Sequence, residues 1–186
     1  SSKEWEHKRL YTLSAVADGA FSVCVGSAEA FSQLTIRKDT LKSNTFKISV
    51  GDTLKIDTLC ERLVSAGYVH LDAVEGAGQF SRRGGILDLF PTGNSTPVRI
   101  EFWGDEVDTI AYFDPETQRR ESSVKSCFVA PAREALLDRD ELLSRLCALN
   151  KSRKKLSDEQ KRTLECDIEA LENGTFSEFD RYMSFM

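Results

Sequence analysis

Apolar residues along the chain follow first a helical spacing, then a two-residue alternation, then a helical spacing again. Over residues 4–17, Trp5, Leu10, Leu13 and Val16 recur near helical spacing, and Gly19 is placed to close the C-terminus. Residues 21–25 alternate as a strand and residues 27–34 read as a second short helix. This helix-strand-helix piece is too small to close its own core, so it reads as the tail of a domain that begins earlier.

From Phe46 the pattern predicts a strand, a helix and then a series of strands. The helix covers residues 56–66, with Ile56, Leu59, Leu63 and Val64 on one stripe and Gly67 as its stop. Strands are predicted over residues 68–74, 79–82, 85–90, 98–103, 107–113 and 122–129. Short turns at Gly84-Gly85, Thr92-Gly93-Asn94 and Gly104-Asp105-Glu106 imply hairpins. The expected fold class is therefore α+β, a mostly antiparallel sheet backed by one helix.

Beyond Pro131 the spacing is helical again, with Leu142, Leu143, Leu146 and Leu149 on one helix and Leu164, Ile168 and Leu171 on the next. Ser157 and Gln160 form a capping box, Asp158 and Arg162 stand at i,i+4, and Asn173-Gly174 supplies a stop. The sequence breaks off inside an aromatic-rich segment, residues 176–185, as a fragment would.

Composition narrows the chemistry. The 186 residues are 40% hydrophobic, enough for a real core. With 25 basic against 30 acidic residues the net charge is −5, so no global positive field favours nucleic acid. The basic run Lys151-Ser152-Arg153-Lys154-Lys155 is a local exception, read first as a hydrated helix end. Five scattered cysteines, an odd number without Cys-x-x-Cys spacing, and two histidines predict reduced thiols and no zinc site. With no membrane-length apolar run and no signal peptide, a cytoplasmic protein is expected.

No catalytic set is recognisable. There is no Gly-x-x-x-x-Gly-Lys-Ser/Thr loop, and Gly76-Ala77-Gly78 precedes a strand rather than the helix N-terminus that a pyrophosphate needs. Glu101, Asp105, Glu106 and Asp108 crowd one hairpin, where carboxylates are simply solvated, and His7 and His70 lack a nearby nucleophile. Arg83, Arg99 and Trp103 are different, because Arg and Trp bury large areas at modest entropic cost in protein interfaces. Alternation puts Arg99, Glu101 and Trp103 opposite Val98, Ile100 and Phe102. The plainer reading has Arg99 paired with Glu101 or a cross-strand acid, and Trp103 covering a sheet edge.

The segment from Gly67-Tyr68 to Arg119 resembles the UvrB-interaction-type domain of bacterial transcription-repair coupling factors and the UvrB excision-repair protein. The resemblance runs through Gly78, Phe80, the run Arg83-Gly84-Gly85-Ile86-Leu87-Asp88-Leu89-Phe90-Pro91, Arg99-Ile100-Glu101-Phe102-Trp103-Gly104-Asp105-Glu106-Val107-Asp108, Phe113-Asp114 and Thr117-Gln118-Arg119. Flanking segments, including Trp5-Glu6-His7-Lys8-Arg9-Leu10 and Ala28-Glu29-Ala30, resemble parts of a degenerate UvrB-like nucleotide domain. The resemblance implies three parts: residues 1–45 ending one half-domain, 46–130 the interaction domain, and 131–186 the helical start of the other half.

It further implies recruitment of UvrA through Arg83, Arg99 and Trp103, with Arg82 and Glu101 as further candidates. Trp103 stands where the family more often has Phe, and Arg82 is an extra base. For the full-length family member it implies RNA polymerase and double-stranded DNA as partners and ATP with magnesium as cofactor. For this fragment it implies no catalytic residue, cofactor or metal. Thr117-Gln118-Arg119 favours the coupling factor; a UvrB-type ATP-dependent DNA-damage helicase fragment is the alternative. Truncating Arg99 or Trp103 is expected to weaken UvrA binding without unfolding the domain.

Overall fold

A computed structural model describes residues 2–33, 35–134, 136, 139–152 and 156–173. The chain forms two compact units, Ser1–Leu136 and Leu137–Met186.

The first unit opens with α1 (Ser2–Ala17), α2 (Ala28–Ser32) and α3 (Lys38–Ser43). Gly19, in the left-handed region at φ +78°, ends α1: its N–H reaches Val16 O at 3.1 Å and that of Ala20 reaches Ala15 O at 2.9 Å. Leu10, Ile36 and Leu41 form a small core with Leu13 and Ala17. Trp5, assigned by spacing to the buried stripe, is instead exposed. Residues 21–25 form no strand; their alternation has no neighbouring edge to pair with, and Val23 and Val25 face solvent. The predicted helix over 27–34 shrinks to α2, and α3 carries a single buried residue, Leu41, too little periodicity to read from sequence.

From residue 46 follow β1 (Phe46–Ser49), α4 (Ile56–Ser65), β2 (Val69–His70), β3 (Gln79–Arg83), β4 (Ile86–Phe90), β5 (Val98–Trp103), β6 (Glu106–Phe113), β7 (Arg120–Ser123) and β8 (Ser126–Val129). Strands β2 to β7 make a six-stranded sheet in sequence order, and β1 pairs antiparallel with β8 in a second, two-stranded sheet. All pairings are antiparallel except β2 with β3, so the α+β, mostly antiparallel class holds. Helix α4 ends as expected at Gly67 (φ +89°), where Gly67 N–H bonds Val64 O at 2.9 Å and Tyr68 N–H bonds Leu63 O at 3.0 Å. Leu59 and Leu63 are buried, whereas Val64 points out.

Two strand predictions are corrected. The stretch 68–74 contributes only two strand residues, because Tyr68 turns inward and donates its hydroxyl to Ala130 O at 2.8 Å. Residues 122–129 are not one strand but the ends of two, β7 and β8, which belong to different sheets. Between them Val124 N–H bonds Ile110 O at 2.9 Å while Lys125 O accepts from Val50 N–H at 3.0 Å, so the chain changes sheets at that peptide.

One core joins both sheets and α4: Ile48, Leu59, Leu63, Phe80, Leu87, Leu89, Val98, Ile100, Val107, Ile110 and Val129 are fully or almost fully buried. Val107 and Ile110, three apart, could not share a face of a regular strand. A bulge resolves this: Glu101 pairs with Thr109 but Phe102 with Val107, which leaves Asp108 as the extra residue.

The core also holds two groups that resist ionising. Burial raises the Cys127 thiol from an ordinary 9.0 to about 12 and pushes the Tyr68 phenol well above its usual 10.0. Raised folded-state values mean that the stabilisation is complete below the unfolded thiol's value and is lost as pH rises from 9.0 toward 12. Urea unfolding is expected to give a stability that is flat to about pH 9 and then falls by up to ~1.4 kcal/mol per pH unit, Tyr68 adding to the slope only above about pH 10. A stability unchanged between about pH 8 and about pH 10.5 would refute this burial.

In the second unit, α5 (Arg139–Ser152) and α6 (Asp158–Glu172) bury Leu142, Leu146, Leu164 and Leu171 between them, with Leu143, Leu149 and Ile168 partly buried. The capping box forms, Ser157 Oγ accepting from Gln160 N–H at 3.2 Å and Gln160 Oε1 from Ser157 N–H at 2.9 Å. Asp158 pairs with Lys161 rather than with Arg162, at 2.9 Å. Asn173 caps α6; Gly174, residues 153–155 of the basic run and the aromatic segment 176–185 lie outside the described residues.

Candidate functional site

The face of the six-stranded sheet opposite α4 is organised by one carboxylate. Asp88 lies directly across from Arg99 in the β4–β5 register. Its Oδ1 accepts from Arg99 Nε at 2.6 Å, and its Oδ2 accepts from Arg99 Nη2 at 2.8 Å and from Arg83 Nη2 at 2.7 Å. Two guanidinium groups thus share one acid whose side chain is only 4% exposed. The Arg99 guanidinium also lies over the Phe113 ring, its Cζ 4.5 Å from the centroid. Hydrogen bonding to Asp88 raises the Arg99 pKa further, against the opposing effect of burial.

Arg83 and Arg99 come together as the sequence suggested, but they are not equivalent. Arg99 is paired with the cross-strand acid, and its side chain is 17% exposed, so it is a half-sequestered cation rather than a solvent-facing one. Arg83, beside the tight Gly84-Gly85 turn, keeps 55% exposure, and Nη2 is the nitrogen it gives to Asp88. Truncating Arg99 would therefore also lower stability, because it is one of the two cations neutralising a buried charge.

Trp103 ends β5 at the Gly104-Asp105 turn and is 84% exposed, covering nothing. Glu101, between Arg99 and Trp103 on the strand, accepts from Thr109 Oγ1 at 2.8 Å and lies 3.6 Å from Arg120 Nη1. Arg82 pairs with Asp57 of α4 and so belongs to the other face of the sheet. Of the two adjacent arginines, Arg83 shares the face of Arg99.

Sequence reasoning passed over two residues here. Asp88 had a signal, since an acid inside the run Ile86-Leu87-Asp88-Leu89 must find partners if that strand is central. Gln118 stood out only within the Thr117-Gln118-Arg119 resemblance and had no signal as a site residue; its backbone sits in the left-handed region at φ +59°, and its Oε1 accepts from Arg99 Nη2 at 2.8 Å and from Arg83 Nη2 at 3.4 Å.

The Gly76-Ala77-Gly78 loop runs into a strand rather than a helix N-terminus. Gly78 (φ +82°) leads straight into β3, and a Cβ there would come within 3.1 Å of the His7 ring. His70 stacks on Phe80 with centroids 5.0 Å apart. Among the described residues no His, Cys, Asp and Glu group could hold a metal, and no helix is long and apolar enough to cross a membrane.

On one face of this mostly antiparallel sheet lie an exposed indole and two guanidinium groups oriented by one carboxylate, residue types that protein interfaces favour. Residues 46–135 match the family model described as the UvrB interaction domain. Over its whole length the chain is 33% identical to the transcription-repair-coupling factor of Bacillus subtilis (strain 168), of which it covers 17%. With those of Myxococcus xanthus and Escherichia coli (strain K12) it is 36% and 34% identical over 70% of its length, covering 11% of each. The chain is thus similar to transcription-repair-coupling factors, and it spans under a fifth of the length of these relatives.

Proposed function

We propose that this segment is the part of a transcription-repair-coupling factor that docks UvrA, bringing excision repair to stalled transcription. The observation that carries this reading is the 84% exposure of Trp103, on the same sheet face as Arg83 and Arg99, in a domain matching the UvrB interaction family. An aromatic left in water gains free energy only when a partner covers it, and the Asp88-held arginines on the same face give that partner directional charge. The segment's own task is adhesion rather than chemistry. ATP with magnesium, RNA polymerase and duplex DNA belong to the reading of the whole protein, of which this chain is a portion.

The test is titration calorimetry of the 186-residue chain against purified UvrA. Saturable binding with one site per domain supports docking, and heats no larger than dilution would refute it. The net charge of −5 adds that duplex DNA should bind weakly at most at physiological salt.

A further inference from the structure

We infer that Gln118 is a positioning residue: its amide oxygen, with Asp88, fixes the rotation of the Arg99 guanidinium and steadies Arg83, so that their remaining donors point to a partner. This inference takes the docking reading as its functional setting, although the positioning itself can be measured without the partner.

The hydrogen-bond count is the basis. Arg99 Nη2 carries two hydrogens and has two acceptors, Asp88 Oδ2 and Gln118 Oε1, each at 2.8 Å. Its Nε–H is taken by Asp88 Oδ1 at 2.6 Å. Three of the five guanidinium donors are thereby assigned, and the Nη1 pair is left for something else. The amide cannot be reversed, because its other end donates from Nε2 to Pro115 O at 2.8 Å while the guanidinium groups have only donors to offer.

The loop that carries Gln118 is itself tied down. Asp114 Oδ1 accepts from Glu116 N–H at 2.8 Å and from Thr117 N–H at 3.0 Å, and its backbone accepts from Gln118 N–H at 2.8 Å and donates to Arg119 O at 3.0 Å. A left-handed conformation at a residue other than glycine costs free energy and persists where its side chain is needed. Glycine would suit the backbone of Gln118 better; glutamine is what the two arginines require.

That contrast supplies the experiment. In the whole chain, Gln118→Gly should keep or raise the unfolding temperature, since glycine prefers this φ. NMR of the guanidinium groups should show two resolved Nη2 protons for Arg99 in the wild type, and a single averaged signal in Gln118→Gly once rotation is free. Affinity for UvrA should fall about ten-fold, the order of one ionic hydrogen bond. In an Arg83→Ala, Arg99→Ala background the same replacement should change affinity no further, which a merely structural role would not predict. Gln118→Asn, which also tolerates this φ but is one methylene shorter, should reproduce the glycine result if the glycine chain fails to fold. Resolved Nη2 protons that persist in both variants, or wild-type affinity in both, would overturn the inference. If UvrA fails to bind even the wild type, the docking reading falls and the NMR result alone decides the positioning.

Discussion

Asp88→Ala is expected to cost about 3 to 5 kcal/mol of folding free energy, the usual penalty for removing one partner of a buried ion pair. The carboxylate is 4% exposed and accepts three charge-assisted bonds from Arg83 and Arg99. Without it Arg99, 17% exposed and lying over Phe113, keeps its charge and loses its counter-charge. Arg83 can swing into water; Arg99 cannot do so without abandoning its place on the sheet. Asp88→Asn keeps the shape and one acceptor, so it should fall between alanine and wild type. Urea unfolding monitored by circular dichroism measures both. An Asp88→Ala domain within about 1 kcal/mol of wild type would mean that the shared carboxylate is dispensable.

The same geometry changes how Arg99 variants should be read. Arg99→Ala leaves Asp88 with Arg83 alone, so a loss of UvrA binding in that variant mixes interface and stability. Trp103→Ala separates the two, because its side chain is largely in solvent and holds no buried charge.

Much of the sheet was legible because alternation is a strong signal where strands are joined by tight turns. Strand β5 has the predicted bounds, and Val98, Ile100 and Phe102 pack on the core side as their spacing demanded. Alternation failed where it ran on without a break: residues 122–129 look like one strand, and only the distribution of backbone partners between Ile110 and Val50 shows the change of sheet. It failed differently at residues 21–25, where a strand-like pattern has no edge to join.

The site was half legible for a related reason. Periodicity puts Arg99 on the face away from α4, yet says nothing of what else covers that face. The Asp88–Arg99 pairing depends on a register set across residues 91–97, which is not a two-residue turn that would fix it from sequence. The loop over residues 114–119 folds onto the arginines through Gln118, whose contribution lies in an unusual backbone angle. Arg82 and Arg83 are adjacent and chemically identical, and the pleat alone sends one to α4 and the other to Asp88.

Trp103→Ala should lower UvrA affinity by roughly thirty-fold or more, about 2 kcal/mol, with little change in folding stability. The two halves of this expectation have the same cause. An indole that is 84% exposed in the free domain contributes little to the core, so its removal should move unfolding by no more than about 0.5 kcal/mol. In a complex the same ring can bury on the order of 150 to 250 Å², which at about 25 cal/mol per Å² is a gross gain of roughly 4 to 6 kcal/mol before ordering costs. Trp103→Phe should lose only part of this, since the ring is smaller but equally apolar. Because Trp5 is also exposed, its indole must be removed by Trp5→Phe before fluorescence can report on Trp103 alone. In that background, UvrA should shift the Trp103 emission to the blue as water leaves the ring. Wild-type affinity in Trp103→Ala, or an emission spectrum unmoved at saturating UvrA, would place the contact elsewhere on the domain.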